Sequence, residues 1–148
     1  MSKRKHATWD AGTGAAANAR REMPKMAADY FAEVRKTLAK DPTLPELHRV
    51  RLATKRLRYT LELFRPCYGP GLETRLAALR VIQQLLGEVN DSVAAAKLLP
   101  KSMRAREYIE RRGEAKAKEF RTHWAEVFDA PRQERLWTGF LARSARKR

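Results

Sequence analysis

Residues 43–64 read TLPELHRVRLATKRLRYTLELF, and they contain both a helix start and a helix face. Thr43 stands three residues before Glu46, the spacing of a capping box, in which the hydroxyl and the carboxylate each satisfy a free backbone amide at a helix N-terminus. Leu47, Val50, Leu57, Leu61 and Phe64 then recur at spacings that place them on one side of a 3.6-residue period. The spacing predicts a helix from this cap to about Phe64, ended by Pro66, Gly69, Pro70 and Gly71.

The same period continues on both sides. Met23, Met26, Tyr30, Val34 and Leu38 predict a helix over 16–40, stopped before Asp41-Pro42, because proline disfavours helical geometry at its predecessor. A third helix is predicted from Leu72 to about Leu99, with a break at Gly87 where Asn90-Asp91 would cap a restarted segment. A fourth covers about 101–128 with Ile109, Gly113, Ala117, Phe120, Trp124 and Val127 as its apolar stripe. Pro131 opens a short fifth helix carrying Leu136, Trp137, Phe140 and Leu141. Phe120, Trp124, Phe128 and Trp137 are expected in the core, and no segment reads as a strand. The expected architecture is all-α: an antiparallel four-helix bundle over 15–142 with a short additional C-terminal helix. A flexible tail is expected over 1–14 and a basic one over 143–148.

A chain of 148 residues with 43% hydrophobic and 33% charged residues is long enough for one domain with a proper core. Its charge is unusual: 32 Lys and Arg face 17 Asp and Glu, a formal net charge of +15. A chain that repels itself this strongly has a polyanion as its natural partner, whether nucleic acid, an anionic surface or a phosphate polymer. Cys67 is the single cysteine, so neither an internal disulfide nor a cysteine-based metal site can form. No apolar run approaches the roughly 18 residues of a membrane helix, and the basic N-terminus leads into Gly and Ala rather than an apolar signal core. A soluble, cytoplasmic protein is expected, with no membrane partner.

His48, Arg51, Lys55 and Arg58 are separated by three, four and three residues. At about 100° per residue they share an arc of roughly 80°, centred roughly 120° from the apolar arc of the same helix. They therefore line the shoulder of a groove beside the core rather than the helix back. Guanidinium groups bind phosphate through paired, charge-assisted hydrogen bonds, and lysine adds a mobile point charge. An imidazole beside an anion has its protonated form favoured. Such a strip suits a linear anion of many charges. Basic residues on a helix equally suit a solvated face with snorkelling stems, but Glu46 and Glu62 are the only acids on this helix to pair with them.

This stretch resembles the signature H-x-x-R-x-x-x-K-R-x-R-Y-x-x-E of the conserved histidine alpha-helical (CHAD) family, with His48, Arg51, Lys55, Arg56, Arg58, Tyr59 and Glu62 all matching. Leu86-Gly-Glu-Val-Asn-Asp91 resembles a second element, L-G-x-x-N/R-D, and the likeness spans about residues 20–128. The resemblance implies a helical bundle that binds inorganic polyphosphate without catalysis or cofactor, and that can localise to polyphosphate granules. It makes His48, Arg51, Lys55 and Arg58 the phosphate-binding set, with Arg56 and Tyr59 beside them. Glu62 becomes a structural support, and Asp91 either an organiser of an arginine on the second helix or a plain helix cap. The family's usual domain has two similar halves, whereas this chain carries one copy of the signature: either a single half binds weakly on an open face, or two chains associate to rebuild the two-fold arrangement, the homodimer being the favoured hypothesis.

Arg112, Lys116 and His123 fall on one flank of the fourth helix's stripe and are candidates for an opposite wall, ordinary surface charge being the alternative. The first helix offers Arg20, Arg21 and Arg35 and the third Arg75 and Arg80, with rotations the sequence does not define. Nucleic acid is the main rival ligand, since charge alone allows it. No helix-turn-helix or RNA-binding fingerprint appears, and aromatics are not interleaved with the strip for base stacking. An enzyme acting on phosphates is the other rival, but no Gly-rich phosphate loop or paired acids accompany the strip, and no metal site is expected.

Overall fold

The computed structural model describes residues 9–143, and every regular element among them is helical. Five α-helices follow one another: α1 (Ala15–Leu38), α2 (Leu44–Leu63), α3 (Gly71–Lys97), α4 (Arg104–His123) and α5 (Gln133–Arg143). A 3₁₀ turn at Arg65–Cys67 leads from α2 towards α3, and a π-helical turn at Trp124–Phe128 extends α4. The capping box is formed. The Thr43 hydroxyl accepts the Glu46 amide at 3.3 Å, and the Glu46 carboxylate accepts the Thr43 amide at 3.1 Å.

Neighbouring helices pack in the order α5, α1, α2, α3, α4, so that α2 lies between α1 and α3. Phe31, Met23, Val34, Leu57, Leu61, Leu72, Leu76, Leu79, Ile82 and Leu86 are fully buried at these contacts. Between α1 and α2 the Tyr30 hydroxyl meets the Thr54 hydroxyl at 2.7 Å, and Thr54 in turn donates to Val50 O at 2.8 Å. This buried bond fixes the rotation of α2 about its axis, because a hydroxyl left unpaired there would be costly. Burial pushes the Tyr30 phenol well above its ordinary range.

Two expectations from the sequence are corrected. Helix α3 runs unbroken through Gly87, and Asn90 and Asp91 are exposed positions inside it rather than caps of a new segment. A single glycine costs only about 1 kcal/mol in a helix interior, and the buried leucines on both sides of it hold the helix together. The apolar stripe of α4 also loses its last member: Val127 is 56% exposed, whereas Phe128 is buried as expected. The Asp129 amide reaches back five residues to Trp124 O at 2.7 Å, and this wider turn accommodates one more residue than an α turn. Phe128 thereby stacks on Trp124 at 4.8 Å and joins Phe31 and Trp137 at 5.2 and 5.3 Å.

Helix α5 is fastened as firmly as the others. Tyr68 donates to Leu141 O at 2.9 Å, and the Arg75 guanidinium lies over the Phe140 ring at 3.8 Å while donating to Gly71 O at 3.1 Å. A Cβ on Gly71 would come within 2.6 Å of the same ring, so glycine is needed for this approach. Residues 9–14, part of the segment read as a tail, are tied to α1. Asp10 exchanges hydrogen bonds with the buried Asn18 side chain at 2.8 and 2.9 Å, and Trp9 stacks on Phe64 at 5.8 Å. The remainder of that segment, and 144–148 of the basic C-terminal stretch, lie outside the described residues. No helix among those described is long and apolar enough to cross a membrane.

Candidate phosphate-binding site

Helix α2 buries Leu47, Val50, Ala53, Thr54, Leu57 and Leu61. With that face turned inward, the basic strip twists out of the α2–α3 junction into solvent: Arg58, Arg51 and Lys55 are half-buried and His48 is exposed. Arg51 and Arg58, two helical turns apart, join Arg80, Gln83 and Gln84 of α3 in lining a recess of about 230 Å³. The Nε of Arg51 lies 4.0 Å from where a Cβ of Gly87 would stand, so α3 offers this guanidinium a surface without a side chain. The strip is thus one wall of a concave site, and α3 is the other.

Three guanidiniums converge there, and two of them reach the same carboxylate. Glu62 Oε1 is shared by Arg58 Nη1 at 3.3 Å and Arg80 Nη2 at 3.4 Å, both long for charge-assisted bonds. No acidic side chain among the described residues lies within 4 Å of a charged atom of Arg51 or Lys55, although Arg51 is half-buried. Buried within the same region, Arg51 Nε, Arg58 Nε and Gln83 Oε1 make no hydrogen bond. A guanidinium carries five donors, so the recess offers many more donors than its single carboxylate can accept.

The remaining sequence candidates are distributed around it. Arg56 and Tyr59 are exposed on the outer side of α2, and the Arg58 guanidinium stacks on the Tyr59 ring at 4.6 Å. Lys116 is drawn to acids, with Nζ 3.2 Å from both Glu88 and Glu119, and these contacts raise its pKa. Arg112 is exposed on α4, and neither it nor Lys116 lines the recess. Asp91 is exposed on α3 with no ion pair to an arginine of α2 among the described residues. The carboxylate beside the α2 arginines is Glu62. Of the arginines whose rotation the sequence left open, Arg80 enters the recess and Arg75 fastens α5. Arg35 pairs with Asp129 at 2.6 Å and with Glu134 at 3.2 Å. Gln83 and Gln84 were not anticipated. Their signal is spacing: three and four residues after Arg80, in an otherwise apolar stretch, they share its side of α3 with Gly87.

The far side of α3 borders a larger, mainly apolar groove of about 800 Å³ between α2 and α4, including Leu44, Leu47, Val93, Ala96 and Ala117. Its rim mixes both charge signs, with Arg121 paired to Asp41 at 3.0 Å and Arg106 to Glu110 at 2.8 Å. The cation-rich recess therefore stands apart from this larger groove.

Fold and site together define an all-helical protein with an arginine-lined recess between two of its helices. Comparison of the sequence with protein families matches the CHAD domain over residues 2–100, and the chain belongs to that family. Neither the curated proteins nor the solved structures returned a match.

Proposed function

We propose that this chain binds inorganic polyphosphate, non-catalytically, through the recess between α2 and α3 and the strip that leads out of it. The observation that carries this reading is the convergence of Arg51, Arg58 and Arg80 on one recess, with Glu62 the only acid paired with them among the described residues. His48, three residues before Arg51, and Lys55, between Arg51 and Arg58, keep to the same arc of the helix, so the strip is a line of groups that suits a polymer rather than a single small anion. Membership of the CHAD family supports the same ligand. Association with polyphosphate granules follows as the cellular consequence.

Nucleic acid is the competing ligand, and Tyr59 is where it would have to gain specificity. That ring is exposed but already has the Arg58 guanidinium over it, and one aromatic is a poor stacking platform for successive bases. Polyphosphate presents its charges without intervening sugar or base. The deciding experiment is calorimetric titration with polyphosphates of graded length, set against single-stranded RNA of matched charge. Polyphosphate is expected to bind tighter at equal phosphate concentration and to keep its length after incubation. Displacement by RNA would transfer the reading to nucleic acid, and release of orthophosphate above the buffer rate would make the protein an enzyme.

A further inference from the structure

The arc of α2 that carries His48, Arg51, Lys55 and Arg58 continues, by the same alternation of three- and four-residue steps, to Glu62. The cationic line therefore ends on a carboxylate. That carboxylate stands one turn beyond Arg58 and is shared by Arg58 and Arg80 at 3.3 and 3.4 Å. The next cation along the chain, Arg65, is taken up by Glu73 at 2.7 Å. A polyanion following the line past Arg58 meets acids and no free cation, whereas in the other direction the line reaches solvent at the exposed His48.

The charge of the recess fits one part of a phosphate polymer better than the rest. Three guanidiniums and one carboxylate leave it a formal +2, and Gln83 and Gln84 add none. An internal phosphate carries one charge and two non-bridging oxygens, and it must let the chain continue on both sides. A terminal phosphate carries close to two charges at neutral pH and three acceptor oxygens, with chain on one side only. Its third oxygen matters in a site where Arg51 Nε and Arg58 Nε make no hydrogen bond.

We infer that the recess seats the end of a polyphosphate chain, with Glu62 as the stop that keeps the chain from running through. The inference rests on the polyphosphate reading above and gives that site a specificity. The terminal phosphate lies against Arg51, Arg58 and Arg80, and the chain leaves over Lys55 and His48. On the helical wheel Lys55 and His48 stand roughly 60° further from the buried face than Arg51 and Arg58, so this exit rises from the recess to solvent. A chain threaded through the recess would have to carry its next phosphate over Glu62, where repulsion has no free cation beyond it to offset the cost. Glu62 thus selects an end without touching the terminal phosphate's own donors.

The test is calorimetric titration of the full chain at a salt concentration that screens weak surface binding. The probes are polyphosphates of several chain lengths, the same polymers capped at both ends as alkyl phosphoramidates, linear tripolyphosphate and cyclic trimetaphosphate. Capping removes a terminal oxygen and its charge but leaves the internal phosphates unchanged. The wild type should show two tight sites per uncapped chain whatever its length. Capping should cost roughly tenfold or more in affinity, the worth of one charge-assisted hydrogen bond. Tripolyphosphate should compete with the polymer, and trimetaphosphate, a ring without ends, should not. Glu62→Gln keeps the size of the side chain, with circular dichroism as the check on folding. It should bind capped and uncapped polymer alike, with copies per chain rising with length. Capped chains that bind the wild type as tightly as uncapped ones, or tight sites that multiply with chain length, overturn the chain-end seat and leave polyphosphate as the ligand. That comparison needs no variant. Discrimination against capped chains that survives Glu62→Gln overturns Glu62 as the stop. Failure to bind phosphate in any form would instead remove the polyphosphate reading, and the seat with it.

Discussion

Arg51 and Arg58 occupy the boundary between the buried face of α2 and water, which places their guanidiniums at the recess while the leucines beside them hold the helix. Each charge-assisted hydrogen bond to phosphate contributes about 1.5–3 kcal/mol. Replacing Arg51, Lys55 and Arg58 together with Ala is therefore expected to abolish most polyphosphate binding while far-UV circular dichroism stays at the wild-type level. Lys116→Ala should leave affinity near wild type, because Glu88 and Glu119 already compensate that charge outside the recess. Glu62 has two opposed effects: it steadies Arg58 and Arg80, and it repels the incoming anion. Its contacts of 3.3 and 3.4 Å are long, whereas repulsion from a phosphate a few ångströms away costs about 1 kcal/mol even at the dielectric of water. Repulsion should win, so Glu62→Gln is expected to tighten binding several-fold by calorimetry. Weaker binding would show that steadying the arginines matters more.

Helix α2 presents the strip, so its start and its anchoring bear on the site. Removing the Thr43 cap with Thr43→Ala should cost about 1 kcal/mol, read as a lower urea midpoint at unchanged slope. Glu46 is held below the usual carboxylate range by hydrogen bonds from the Thr43 backbone and side chain. A depressed folded-state value means the contribution is complete above the unfolded carboxylate value of about 4.3. It is lost as pH falls through the depressed value, and Thr43→Ala should flatten that acid limb. Helix α5 reaches the core through Trp137, which sits edge-on to Phe31 at 6.2 Å. Trp137→Ala is expected to cost about 3–5 kcal/mol and to lower the thermal midpoint. The recess is lined by residues of α2 and α3, and neither Trp137 nor any other residue of α5 lines it. Tripolyphosphate affinity measured well below the new midpoint should then be retained.

For the molecule as a whole, the formal +15 makes electrostatics the long-range term. Bound cations displace counterions condensed on a polyanion, so the logarithm of the affinity should fall linearly with that of the salt concentration. The triple replacement of Arg51, Lys55 and Arg58 should reduce this slope as well as the affinity itself. A slope unchanged from the wild type would mean that the remaining basic surface, not the recess, carries the interaction.

Much of the architecture was legible before any coordinates, because helix periodicity and end signals are local. Thr43 and Glu46 announce their cap, Pro42 and Pro131 mark boundaries, and the three- and four-residue spacing of His48, Arg51, Lys55 and Arg58 defines a strip from the geometry of one helix alone. What tertiary structure decided is everything that depends on a second helix. Packing on both sides of Gly87 kept α3 whole, and the π turn left Val127 outside the core. The rotation of α3 against α2 brought Arg80, Gln83 and Gln84 to the strip while sending Arg75 to α5. A single helix records which side chains share its face; only the contact between two helices decides which faces meet, and that contact turned a row of cations into a recess.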